Sequence, residues 1–208
     1  MARYTGPACR ICRRQGDKLM LKGAKCLTPK CPVERRHTPP GQHGISRRRV
    51  SEYSLQLKEK QKARYTYGVL ERQFRRYFAE AGRRPGLSGE ILLQILETRL
   101  DNVVYRLGFA ESRRQARQVV LHGHITLNGR RTNTPSCRVK AGDVIEWQES
   151  SRKKVPYQAA AAEIEGKVVP PWLDLDRETL TGKVLALPTR TDIETTIDER
   201  LIVEFYSR

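Results

Sequence analysis

The stretch Leu96-Glu97-Thr98-Arg99-Leu100-Asp101-Asn102-Val103-Val104-Tyr105-Arg106-Leu107-Gly108-Phe109-Ala110 leads into Ser112-Arg113-Arg114-Gln115-Ala116-Arg117-Gln118. That segment in turn leads into His122-Gly123-His124-Ile125-Thr126-Leu127-Asn128-Gly129. Apolar residues at Leu92, Ile95 or Leu96, Leu100, Val103 or Val104 and Leu107 recur every three to four positions. The spacing predicts one helix running from Ser88 to a stop at Gly108. Ser112 and Gln115 form a capping box that opens a second, shorter helix, which buries Ala116, Val119 and Val120 and ends at Gly123. His124 to Leu127 alternates as a strand, and Asn128-Gly129 is a two-residue hairpin turn followed by Arg130-Arg131. A further turn at Lys140-Ala141-Gly142-Asp143 leads into the strand Val144 to Trp147. On the short helix, Arg113, Arg114 and Arg117 are expected to face outward beside the hairpin arginines. Such an L-shaped cationic surface suits phosphate pairs and a folded RNA better than a single strand. The plainer alternative is a solvated charged face.

Toward the N-terminus, Ser51 precedes a helix to about Tyr65. A break at Gly68 separates it from a second helix with Leu70, Phe74, Tyr77, Phe78 and Ala81 on one side, closed by Gly82. These aromatics read as core, while Arg72, Arg75 and Arg76 point to RNA or water. Residues 82–89 form a turn-rich boundary. The Pro/Gly-rich segment Arg35-Arg36-His37-Thr38-Pro39-Pro40-Gly41-Gln42-His43-Gly44, followed by Ser46-Arg47-Arg48-Arg49, reads either as an ordered loop pressed against phosphates or as a charged linker.

Cys9, Cys12, Cys26 and Cys31 form a C-x2-C pair and a C-x4-C pair joined by a loop. This spacing lets four thiolates converge on one tetrahedral zinc. A 4Fe-4S cluster uses the same donors, and unmetallated thiols are the third possibility. The cations Arg10, Arg13, Arg14, Lys25 and Lys30 lower thiol pKa values and offset the charge of a thiolate site. With all positions taken by sulfur, a zinc here is a staple and leaves no open position for chemistry. Cys137 stands apart as a small buried or half-buried residue.

The 208 residues carry a net charge of +17, far beyond the roughly 2–8 that solubility needs in a small domain. The charge divides as +11 over residues 1–50, +4 over 51–100, +3 over 101–150 and −1 over the remainder. Counterion release makes a polyanion the expected partner of the first three blocks. No run of apolar residues is long enough for a membrane span, and the first residues lack a signal-peptide core, which places the protein in the cytosol. No Gly-rich phosphate loop, G-x-S-x-G or H-E-x-x-H is present, so no enzyme and no small-molecule substrate is expected. A zinc-finger DNA binder would place a recognition helix after the cysteines, where this chain has a Pro/Gly loop.

The stretch quoted at the outset closely resembles the S4 RNA-binding domain. Met1 to Pro7, the cysteine quartet, Pro40-Gly41-Gln42-His43-Gly44, Leu57-Lys58-Glu59-Lys60-Gln61-Lys62 and Val203-Glu204-Phe205-Tyr206-Ser207-Arg208 extend the resemblance end to end, to the bacterial small-subunit ribosomal protein S4 family. The resemblance implies an α+β fold. A helical N-terminal domain carries a metal-bound four-cysteine segment, and an S4-type RNA-binding domain packs helices on a small antiparallel sheet. The expected divisions are 1–50 (metal-binding segment and basic loop), 51–96 (helices), 97–157 (S4 domain) and 158–208 (a C-terminal helix and strands packing back on the body). It also implies a structural role on the ribosome: binding 16S rRNA early in small-subunit assembly, contact with ribosomal protein S5, and a part in translational accuracy. Arg47, Arg48 and Arg49 resemble the family's patch where mRNA enters. The candidate RNA contacts are Arg3, Arg13, Arg14, Arg35, Arg36, His43, Arg47, Arg48, Arg49, Lys58, Lys62, Arg64, Arg72, Ser112, Arg113, Arg114, Arg117, His122, His124, Asn128, Arg130 and Arg131.

Overall fold

A computed structural model describes residues 3–42, 49–193 and 196–208. The chain divides into two compact units, residues 1–92 with 195–208, and residues 93–194, so the boundary falls inside one helix.

The first unit is helical. Helix α1 (Ala8–Gln15) starts after Pro7 and buries Ala8, Ile11, Cys12 and Gln15. Ala8, Ile11 and Cys12 form a small core with Leu19 and Leu21, against which Val33 and Tyr65 pack. Helix α2 (Pro32–Arg35) is a single turn. Helix α3 (Glu52–Thr66) is capped by Ser51, whose hydroxyl accepts from the Ser54 amide. Helix α4 (Glu71–Ala81) buries Phe74, Tyr77 and Ala81, the stripe read from the sequence. The last helix, α9 (Glu199–Tyr206), lies along α3, where Gln56 donates to Glu204 at 3.0 Å and Lys60 sits 4.9 Å over the Phe205 ring. Tyr206 stacks on Phe78 and donates to Glu71 at 2.9 Å. Burial pushes the Tyr206 hydroxyl up and the Glu71 bond pushes it further. Burial also acts to raise the Glu71 carboxyl, but bonds from Lys60 and Tyr206 outweigh it and hold the group low.

The expected single helix from Ser88 to Gly108 is two. Helix α5 (Ser88–Glu97) ends at Thr98, whose hydroxyl turns back to the Gln94 carbonyl at 2.8 Å, and α6 (Leu100–Arg106) begins after an extended Arg99. The break has a tertiary cause. Arg99 forms an isolated bridge with Arg138, and the first amides of α6 donate to Cys137 and Pro135 carbonyls. Those orphan amides are thereby satisfied from a segment distant in sequence.

In the second unit, α6 and α7 (Arg113–Leu121) pack with a five-stranded antiparallel sheet of order β2-β1-β3-β5-β4. The strands are β1 (Ile125–Leu127), β2 (Arg130–Thr132), β3 (Val144–Trp147), β4 (Leu173–Asp176) and β5 (Thr181–Val184). Asn128 and Gly129 both take positive φ, 52° and 74°, the backbone that a type I′ hairpin turn demands. Helix α8 (Val155–Glu163) adds Ala160 to a core that holds Leu100, Val104, Leu107, Ile125, Ile145, Trp147, Trp172 and Leu180. Residues 158–208 therefore do not act together. Strand β5 pairs with β3, with Ile145 opposite Gly182, and joins the sheet, whereas α9 belongs with the helical unit. Pairing β3 removes an edge that would otherwise expose its backbone.

Candidate nucleic-acid interface

The α7 helix opens as the capping box predicts. Ser112 accepts from the Gln115 amide at 3.3 Å, while the Gln115 side chain reaches back to the Glu111 amide at 3.1 Å, one residue earlier than expected. Its arginines do not all face outward. Arg113 donates to Asn102 at 2.7 Å, lies 3.9 Å from the Glu97 carboxylate and stacks 4.5 Å over the Tyr105 ring. Arg117 pairs with Asp101 at 3.0 Å. Their side chains are only 13% and 11% exposed, so the outward-facing expectation is corrected for both.

The cause is a pair of carboxylates on the apolar side of the preceding helices. Glu97, 1% exposed at its side chain, accepts from Arg106 at 2.8 and 3.0 Å and from Asn102 at 2.6 Å. Asp101 accepts the Arg99 fork at 3.0 and 2.6 Å. Carboxylates buried without such partners would carry a large desolvation cost. Arg106 and Arg99 meet most of it, and the arginines of α7 join them.

The cationic surface lies where α7 ends. His122 is exposed and its ring centroid stands 5.9 Å from that of His124. Arg131 donates to the Gly123 and His122 carbonyls, which fixes its guanidinium beside them. Arg130, at the hairpin tip, is exposed. His124 Nδ1 is 2.9 Å from Ser151 Oγ. Burial lowers the His124 pKa first, and the neighbouring Lys154, His122 and Arg131 lower it further. The run Arg152-Lys153-Lys154 is exposed at this place and was missed from the sequence, although three adjacent cations after the β3 strand were a usable signal. Asn128 serves the turn instead of the surface, donating to Asp143 at 2.9 Å and accepting from the Val144 amide at 2.8 Å.

In the helical unit two further candidates turn inward. Lys62 is 5% exposed, paired with Asp17 at 3.0 Å and donating to the Thr196 carbonyl at 2.7 Å. Arg64 lies 3.8 Å from Glu71 and stacks over Tyr65 at 4.5 Å. Both are corrected to internal roles. Arg13 donates to the Thr38 carbonyl at 3.1 Å and holds that loop to α1. Arg3, Arg14, Arg35, Arg36, Arg49, Lys58 and Arg72 are exposed, and Arg114 is half-buried. His43, Arg47 and Arg48 lie outside the described residues.

All five cysteines are free thiols. Among the described residues no three or more His, Cys, Asp or Glu side chains form a group arranged to hold a metal ion. The quartet nevertheless surrounds one cavity of about 10 Å³, which Lys22 and Lys25 also line and no carboxylate does. Burial raises the Cys12 thiol most; the Leu19 amide opposes this, and the nearby Cys26, Cys9 and Cys31 add to it. Four sulfur donors around a space the size of one small ion, with cations beside it, suit a thiolate-bound metal in chemical type.

Residues 3–97 match the family described as the ribosomal protein S4/S9 N-terminal domain, and residues 98–145 match the S4 domain. Over its full length the chain is 61% identical to the small ribosomal subunit protein uS4A of Symbiobacterium thermophilum. It is also 61% identical to the uS4 of Dictyoglomus turgidum and 59% identical to that of Heliobacterium modesticaldum. Each relative is covered completely as well.

Proposed function

Because the chain belongs to the uS4 family of small ribosomal subunit proteins, structural constituents of the ribosome and not enzymes, we propose that it is a primary 16S rRNA-binding protein that nucleates assembly of the subunit body. The observation that carries this reading is the pair of cations Arg131 and Lys154 beside His122 and His124 around the end of α7. Arg131 is held there by the Gly123 and His122 carbonyls, and no carboxylate stands among the charged groups around His124. A cation fixed in this way meets the phosphates of a folded RNA without first ordering its own side chain. Family membership further supports contact with ribosomal protein S5, a contribution to translational accuracy, and a place beside the channel through which mRNA enters.

The test uses the full chain and a transcript of the 16S rRNA 5′ domain. Tight binding that survives a large excess of tRNA is expected. Binding no tighter than to an unrelated transcript of equal length would reject the reading.

The cysteine quartet belongs to the same proposal. Cys9, Cys12, Cys26 and Cys31 would hold Zn2+, with a 4Fe-4S cluster as the alternative at the same sulfurs. When bound, the metal supplies a structural cross-link and no reaction chemistry. The support is the shared cavity and the all-sulfur donor set. Cys9→Ser should release the metal and loosen residues 1–42 while the hairpin unit stays folded. Elemental analysis of the purified wild-type chain with neither zinc nor iron would reject the site.

A further inference from the structure

Beside α1 the helical unit carries a cleft of about 220 Å³, lined by Tyr4, Arg10, Ile11, Arg14, Gln15, Pro40 and Tyr65. No lining residue is acidic. The volume falls below the roughly 300–1,000 Å³ of small-molecule sites, so its occupant is nearer in size to one base than to a whole cofactor. Tyr4 and Tyr65 stand edge to face with centroids 6.3 Å apart and make a corner of aromatic surface. A Cβ at Gly6 would stand 2.5 Å from Tyr4 Oη, so Gly6 leaves room for the Tyr4 ring in this position. Arg10 and Arg14 are one helical turn apart on α1, exposed, and make no side-chain hydrogen bond or ion pair among the described residues. Gln15 is 5% exposed, and its Oε1 has no hydrogen-bond partner. Because the terminal torsion of glutamine is broad, the amide turns at little cost and presents either its acceptor or its donor to the cleft.

The exposed Tyr4 ring, the Tyr65 ring beside it with Arg64 stacked on one side, two uncommitted guanidinium groups and an amide without its full set of partners form a combination that recognises a nucleotide. Aromatics take the base face, arginines the phosphates, and an amide the base edge. We propose that this cleft receives one unstacked nucleotide of the bound RNA, with its base against Tyr4 and Tyr65 and its phosphates on Arg10 and Arg14. The inference rests on the rRNA-binding reading and deepens it. The cluster at the end of α7 meets backbone phosphates, whereas the α1 cleft holds a single extruded base.

The experiment uses the full chain and the 16S rRNA 5′-domain transcript, read by filter binding, chemical probing of base edges, and ultraviolet crosslinking with mass spectrometry. The wild-type complex should crosslink at Tyr4 or Tyr65 and protect one isolated base. Tyr4→Ala and Gln15→Leu should each weaken binding on the order of tenfold and expose that base while the rest of the footprint stands. Tyr4 is 42% exposed, so its truncation leaves the small core intact even where Gln15→Leu does not fold. Wild-type binding with no crosslink at either tyrosine overturns the proposal. So does a result in which Arg10→Gln with Arg14→Gln weakens binding while Tyr4→Ala changes nothing, because the face is then a basic surface only. Failure of the wild type to bind the transcript would overturn the rRNA reading and this inference together.

Discussion

Arginines on α1 and arginines on α7 look alike in sequence, and they do opposite work. Arg10 and Arg14 project from the helical unit with no carboxylate partner among the described residues. Arg113 and Arg117 are folded down against Asn102, Glu97 and Asp101 and are part of the interior of their unit. The difference lies in the neighbouring helix, not in the helix that bears the arginines. A carboxylate on an apolar face must be met by cations; Arg106 and Arg99 supply the closest, and Arg113 and Arg117 of α7 are drawn in beside them. Net charge therefore locates an RNA-binding protein without locating its contacts, since part of the positive charge is spent on internal ion pairs.

The contrast is most easily broken at its acidic end. Glu97→Ala should destabilise the second unit by about 3–5 kcal/mol, the range for removing one partner of a buried ion pair. Arg106 and Arg113 lose their common anchor in this variant. A denaturant midpoint unchanged from the wild type would mean that the arginines hold their places without it. Ser112→Ala removes the cap at the start of α7 and should cost about 1 kcal/mol in the same measurement. A smaller loss would show that the pairing of Arg113 and Arg117 already fixes the helix end.

The smallest effect concerns pH. The folded pKa of His124 lies below its ordinary 6.5, with burial the leading cause. Below pH 6.5 the unfolded chain takes up a proton that the folded one resists. Stability should therefore fall as the pH drops from about 6.5 toward the folded pKa and be flat above that window. His124→Gln should remove the slope, and a slope that persists in this variant would assign it to another group. Bound phosphate should raise the His124 pKa, so binding should tighten modestly across the same window.

Local features were legible from the sequence because their causes are local. The capping box, the Asn128-Gly129 turn and the Phe74/Tyr77/Ala81 stripe depend on residues within a few positions of one another. The break between α5 and α6 was not legible, because Arg99 leaves the helix to meet Arg138 and the 135–137 carbonyls take the freed amides. Strand β4 alternates as Leu173-Asp174-Leu175-Asp176 but over four residues only, β5 (Thr181–Val184) does not alternate cleanly, and the place of β5 beside β3 is set by pairing across a long connection. The inward turn of Arg113 and Arg117 left one usable trace. Glu97 lies at helical spacing between Leu93 and Leu100, and Asp101 between Glu97 and Val104, so both acids sit on the apolar stripe. Lys62 left a fainter trace in Glu59, one helical turn earlier and 3.6 Å away, whereas its closer partners, Asp17 and the Thr196 carbonyl, lie far off in the chain.

The central claim is that phosphates meet the cations around the hairpin and not those paired beneath α7. The salt dependence of binding to the 16S rRNA 5′-domain transcript tests it most directly. Arg130→Gln with Arg131→Gln should reduce the slope of log K against log salt by about one to two, the equivalent of two lost phosphate contacts. Arg117→Met should leave that slope unchanged while lowering the stability of the unit. A slope that falls with Arg117→Met and stands unchanged in the hairpin double variant would contradict the account.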